Sequence, residues 1–189
     1  RTTAILGDRG LGGEAERLTG EIKRIGETTR FTATQVAEAA QQFALAGIEV
    51  SQMVDDKALE NLVQLSIAAG VDVKEAAGIA VASVKGFRLE MSEMGRVNDV
   101  LVKTFTSSNT TITTLGESMK FLGPTASAAG LTIEETAAAV GALGNAGIQG
   151  SMAGTGLRMA LNKLIRPGDD VRKTMEKLGL DGMLRLQPA

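Results

Sequence analysis

One short phrase recurs along this chain of 189 residues: alanine, glycine, an apolar residue, any residue, then a second apolar residue. It reads AGIEV at 46–50, AGVDV within AAGVDVKEAAG at 68–78, and AGLTI at 129–133, with the looser GFRL at 86–89 and AGIQG at 146–150. A glycine after an apolar-periodic run can take the left-handed conformation that closes a helix, and the apolar residue behind it folds back onto the last turn. Cap signals follow at once. Asp72 precedes Glu75 and Thr132 precedes Glu135 by the three residues at which a side-chain oxygen and a carboxylate can each satisfy an orphan backbone donor of the other's turn. Each joint therefore ends one helix and starts another within about three residues. The expected corner residues are Gly47, Gly70, Gly86, Gly130 and Gly147.

The rest of the chain fits that grammar. Thr32 opens TATQ, a further capping box, before a helix through Val36, Ala40, Phe43 and Leu45. Helices are predicted near 14–28, 33–46, 50–69, 73–85, 91–104, 112–129, 133–145, 151–165 and 168–178. No period-2 run exceeds four residues, so strands are not expected, and the fold class is all-α: a bundle of many short helices with tight glycine corners. Successive corner glycines lie 23, 16, 44 and 17 residues apart, too irregular for a solenoid. Ahead of them, Ala15, Leu18, Ile22 and Ile25 form a narrow apolar seam at spacings of 3, 4 and 3. A two-heptad coiled-coil stripe and an ordinary amphipathic helix both fit it.

Composition limits the chemistry. The chain is 43% apolar but has no Trp or Tyr, only five Phe, and 23 Gly, so its helices can approach closely while burying little per residue. Modest stability is expected. Cysteine and histidine are absent, which removes disulfides, thiolate chemistry, the usual general base and the commonest transition-metal ligand. A net charge of −2 gives no basic footprint for nucleic acid. Charge is uneven: residues 31–120 hold 7 basic and 11 acidic groups, 121–157 only Glu134 and Glu135, and 158–189 hold 7 basic and 4 acidic. The start, RTTAILGDRG, has neither an initiator Met nor a signal-like run, so the chain is expected to be a piece of a longer one.

No motif specifies a cofactor or a catalytic centre. Gly10 to Ala15 matches G-x-G-x-x-A, but no strand precedes it and no βαβ unit follows, and Gly154-Thr155-Gly156 is weaker still. Glu134 and Glu135 form an acidic pair in an apolar stretch, a formal candidate for glycoside hydrolysis, yet their place in a helix's first turn accounts for them as cap and dipole partners. Asn109-Thr110-Thr111 is formally a glycosylation sequon. Met91, Met94, Val97 and Leu101 make an apolar face that suits a core, or a surface that repacks against a partner. The basic groups Arg158, Lys163, Arg166, Arg172, Lys173 and Lys177 read as a solvated helix surface.

Residues 136–157, TAAAVGALGNAGIQGSMAGTGL, contain no charge and could span a bilayer if continuously helical. Gly141, Gly144, Gly147 and Gly150 each cost a helix about 1 kcal/mol relative to Ala. Two short helices meeting at Asn145-Ala146-Gly147 are therefore expected, packed closely through small residues such as Gly150 and Gly154.

The run KGFRLEMSEMGRVNDVLVKTFTSSNTTITTLGESMKFLGPTASAAGLTIEETAAAVGALGNAGIQGSMAGTGLRMALNKL at 85–164, with FTATQVAEAAQQFALAGI at 31–48, resembles the core region of bacteriophage tail tape-measure proteins, also called phage-related minor tail proteins. The likeness covers roughly 31–166 and departs at Val54-Asp55-Asp56-Lys57, where a more apolar connection is expected. It implies a structural virion protein, not an enzyme, with no cofactor and no catalytic residues to carry over. The implied role is tail assembly and tail-length determination in the tail-tube lumen, with ejection at infection. The implied partners are other copies of the chain, tail-tube and tail-tip proteins, and assembly chaperones. No specific nucleic-acid binding is expected, and the places are the virion tail and, during assembly, the host cytoplasm. The expected segments are an N-terminal linker and seam helix at 1–30, the core module at 31–166 and a basic tail at 167–189. Candidate interaction or insertion residues are Met91, Met94, Phe105, Asn109, Gly123 and Pro124, and, in the uncharged region, Asn145, Gly150 and Gly154. An alternative role has 121–157 inserting into the host membrane to help form a conduit for DNA.

Overall fold

The computed structural model describes residues 12–166 and 168–179. Among them every regular element is helical: α1 (Gly12–Thr28), α2 (Ala33–Leu45), α3 (Val50–Val54), α4 (Ala58–Ala69), α5 (Val73–Gly86), a 3-10 turn at Met91–Glu93, α6 (Met94–Ser107), α7 (Ile112–Ala128), α8 (Ile133–Asn145), α9 (Gly150–Ile165) and α10 (Asp169–Lys177). The all-α expectation holds.

The glycine joints share one hydrogen-bond pattern. Ile48 N–H reaches Phe43 O (3.0 Å), Val71 reaches Ser66 O (3.3 Å), Leu131 reaches Ala126 O (3.0 Å) and Ile148 reaches Leu143 O (2.9 Å). These are the six-to-one bonds of a Schellman closure, and Gly47, Gly70, Gly130 and Gly147 sit at φ between 69° and 83° where it needs a left-handed residue. The fifth joint differs from expectation. Leu89 N–H reaches Val84 O at 2.9 Å, but the left-handed residue is Arg88 (φ 56°), while Gly86 is the last residue of α5. The closure falls two residues later than the glycine, and Gly86, still helical, packs against Gly123 of another helix.

Caps set the helix starts. Thr32 and Thr132 each accept from the third residue onward, and Gln35 and Glu135 reach back to the Thr32 and Thr132 N–H groups at 2.9 Å. Thr111 and Thr114 do the same without an acid, both bonds at 3.1 Å. At Asp72 the carboxylate accepts instead from Lys74 N–H (2.8 Å), two residues on. We predict that Thr132→Ala lowers stability by about 0.5–2 kcal/mol in urea unfolding, and that Thr132→Ser restores most of it.

The predicted helix at 50–69 is two helices. Asp55-Asp56-Lys57 breaks it, and Lys57 is left-handed at φ 55°. Periodicity concealed the break because both sides face one core: Met53, Ala58, Leu59 and Leu62 are all buried. The residues at which the sequence departs from the tape-measure pattern are thus those of the corner.

The chain forms two compact units that divide at 85–89 and at 103–104. The first holds the described residues through Lys85 and Leu89–Lys103. Here α1 packs on α2 and α3, burying Leu18, Ile22 and Ile25, so the seam is satisfied within its own unit. Val36, Ala39, Ala40 and Phe43 form the buried stripe of α2, whereas Leu45 is 68% exposed. Two residues past Phe43 is about 200° around the helix, which turns Leu45 outward. The second unit comprises Gly86–Arg88 and the described residues from Thr104 onward. Its centre is α7 lying along α9, with α8 beside both.

Candidate functional site

The residues singled out by sequence separate into core, corner and surface. Met91 and Met94 are 5% and 0% exposed, so in the folded chain they are core and present no repacking surface. Phe105 is half-buried and Asn109 exposed. Asn109 does not act alone: its N–H donates to Asn145 Oδ1 at 2.7 Å, and its carbonyl accepts from the Gln149 side-chain amide. This clasp ties the α6–α7 loop to the α8–α9 corner. Glycine makes the approach possible, because a Cβ on Gly144 would lie 2.2 Å from Thr110 Cγ2 and 3.2 Å from Asn109 O.

Gly123 and Pro124 lie inside α7, where proline removes one helical hydrogen bond. A Cβ on Gly123 would stand 3.3 Å from Phe87 Cε2 and 3.5 Å from Gly86 Cα, so Gly86 and Gly123 form one close crossing. A tighter crossing joins α7 and α9. A Cβ on Gly154 would lie 2.6 Å from Ser118 O, and Ser118 Oγ shares its proton between Gly150 O (2.7 Å) and Thr114 O (3.0 Å). Gly150 is itself left-handed at φ 59°.

The uncharged run is divided between α8 and α9, as its glycines predict. Among the described residues no helix is long and apolar enough to cross a membrane. Glu135 is engaged in its cap, at 2.9 Å from Thr132 N. The clearest electrostatic perturbation of a carboxylate is elsewhere: hydrogen bonding from Arg24 holds the Glu21 carboxyl below its ordinary range against the opposing effect of burial.

Sequence reasoning missed the outer face of α9. Met152 and Met159 are 69% and 55% exposed, and Ile148 ahead of the helix and Leu164 on another side of it are also open. Next to this face a groove of about 900 Å³ runs between Pro124, Thr125 and Ala128 of α7 and Asn162, Lys163 and Ile165 of α9, with Arg166 just past its end. The available signal was the seven-residue spacing of Met152 and Met159 opposite the glycines. A second, smaller cleft of about 520 Å³ lies between α4 and α6 in the first unit, where Asn98 Nδ2 donates to Asn61 O at 2.7 Å.

Residues 19–188 match the sequence model of the family described as phage-related minor tail protein. The chain belongs to that family. It is thereby a structural component of phage tails, as the resemblance at 31–166 implied. Among relatives in this family, it is similar to the tape measure protein of Pneumococcus phage Dp-1, 34% identical over 167 residues, which is 88% of this chain and 14% of that protein. It is also similar to the probable tape measure protein of Escherichia phage P2, 29% identical over 177 residues, or 94% of this chain and 22% of that protein. A third relative, from Clostridium phage phiCD119, is 24% identical over 140 residues, covering 73% of this chain and 15% of that protein. The chain thus spans less than a quarter of the length of these minor tail relatives. No solved structure matches it.

Proposed function

We propose that this chain is a folded, non-catalytic module of a tail tape-measure protein, acting in tail assembly and length determination inside the tail tube and leaving with the genome at infection. The observation that carries the reading is the family match across 19–188 together with relatives named tape measure protein and probable tape measure protein. The partners proposed are further copies of the chain, tail-tube and tail-tip proteins, and assembly chaperones. Synthesis and assembly take place in the host cytoplasm. The stretch from 31 to 166 is the functional core of this reading, flanked by 1–30 and 167–189.

The helix lengths favour a compact part of the ruler over an extended one. The longest described helices have 17 residues, about 25 Å, whereas a continuous helix of all 189 residues would reach about 280 Å. The membrane-insertion alternative for 121–157 has less support, because that run is broken into short helices held by buried small residues.

Tail length measured by electron microscopy tests this. An extended ruler loses about 1.5 Å per residue, so deleting Glu14–Thr28 would shorten tails by about 22 Å. The compact-module reading expects no proportional shortening in whatever tails assemble, because α1 packs into its own unit. Shortening by the full helical increment would overturn it. Deleting Thr136–Leu157 is expected to abolish tails; normal tails that adsorb but fail to deliver DNA would favour the membrane alternative instead.

A further inference from the structure

We propose that the outer face of α9, with the groove at its C-terminal end, is a docking surface for an acidic amphipathic helix of a partner protein. This goes beyond the tail-length reading and does not depend on it. Helix α9 turns Gly150, Ala153 and Gly154 inward. That orientation leaves Met152 and Met159, two turns apart, on the opposite face, at 69% and 55% exposure. Lys163 follows Met159 by four residues and Arg166 by seven, so the same face passes from apolar to basic along the helix. Both cations line the groove of about 900 Å³, whose opposite wall is Pro124, Thr125 and Ala128.

The residues lining the groove include Lys163 and Arg166 and no acid; a third cation, Arg158, lies on another side of α9, and the flanking acids in sequence are Glu135 and Asp169. None of the three cations takes part in an ion pair such as those that join Arg17 to Asp55, Arg24 to Glu21 and Glu60, and Arg96 to Glu93 among the described residues. A helix with large apolar residues over the two methionines and carboxylates one to two turns further along is complementary to this arrangement. Thioether side chains suit such a site because they adapt to the residues that cover them.

Other occupants fit less well. Recruitment to anionic membranes takes clusters of about 4–8 basic residues, and this face has two, Lys163 and Arg166. A two-fold contact between copies with parallel α9 helices would set cation against cation, and an antiparallel one would leave Lys163 and Arg166 facing the uncharged stretch 150–157 with no acid to pair them. An exposed methionine stripe ending in a basic groove therefore points to an acidic helical partner.

The test uses the full 189-residue chain and a fluorescein-labelled synthetic helix with leucines on one face and glutamates beside them. We expect saturable binding in fluorescence anisotropy, weakened by about tenfold or more in a K163E/R166E double variant and in a Met152→Ser/Met159→Ser double variant. K163R/R166K is expected to bind as the parent does. On the unaltered chain, binding should weaken in 0.5 M salt and should be absent with a lysine-for-glutamate version of the peptide. Those two readings stand whether or not any variant folds. The proposal is overturned by equal binding of the lysine peptide, by unchanged affinity after charge reversal, or by no peptide binding. It is also overturned if only phosphatidylserine vesicles bind, or if sedimentation shows self-association that the same charge reversals remove.

Discussion

Gly154→Ala is expected to destabilise the second unit by about 1–3 kcal/mol, and Gly156→Ala in the same helix to stabilise it by up to about 1 kcal/mol. Helix propensity favours alanine at both positions by the same amount, so the difference in sign rests on space alone. At Gly156 an added Cβ meets nothing within 4 Å. At Gly154 it would lie 2.6 Å from the Ser118 carbonyl oxygen and 2.9 Å from Ser118 Cα. Those are backbone atoms of α7, so relief requires the two helices to separate. Separation would also stretch the 2.7 Å hydrogen bond from Ser118 Oγ to Gly150 O, at a serine that is fully buried. Urea unfolding followed by far-UV circular dichroism gives both numbers; the chain has no Trp or Tyr for an intrinsic fluorescence readout. A stabilising Gly154→Ala would mean that the α7–α9 crossing is looser than the 2.6 Å approach requires.

Phe43→Ala is expected to destabilise the first unit by about 3–5 kcal/mol. Phe43 is fully buried, and it stands among Val36, Ala39 and Ala40 on a helix whose other buried residues are small. With only five Phe and neither Trp nor Tyr in the chain, no other aromatic of comparable size shares its helix. Against a typical domain stability of about 5–15 kcal/mol, that loss is a large fraction of the whole. Leu45→Ala, two residues away, is expected to change stability by no more than about 0.5 kcal/mol, because Leu45 is 68% exposed. Circular dichroism melts of the two variants compare them directly. Equal effects would show that α2 is rotated from the orientation described.

The pair Phe43 and Leu45 also shows how far the sequence could be read. The sequence places both on one helix about 200° apart, and the packing of α2 decides which of the two is core and which is surface. The break at Asp55-Asp56-Lys57 escaped for a related reason: a corner that keeps both helices on one core leaves the apolar pattern uninterrupted, and a left-handed lysine carries no sequence signal of the kind glycine does. Gly86 shows the converse. Glycine there lies at a helix crossing, where an added Cβ would stand 3.6 Å from Gly123 Cα, and the left-handed closure falls at Arg88. A glycine can serve either purpose, and its neighbours in sequence do not say which.

The candidate surface was less legible than the fold. Met91 and Met94 read as core or as a repacking surface and are core, whereas Met152 and Met159 lie in or just beyond a run whose sequence draws attention to its missing charge and its glycines. Which methionines face outward depends on which side of each helix finds a partner, and that is a relation between segments far apart in the chain. Local chemistry determined the helical class, the caps at Thr32 and Thr132 and four of the five glycine corners, because hydrogen bonds at a helix end are made within six residues. The tertiary structure alone decided the division into two units, the pairing of Gly154 with Ser118 and the outward turn of α9. Those follow from long-range packing, in which a missing Cβ on one helix matters only when another backbone has come to lie against it.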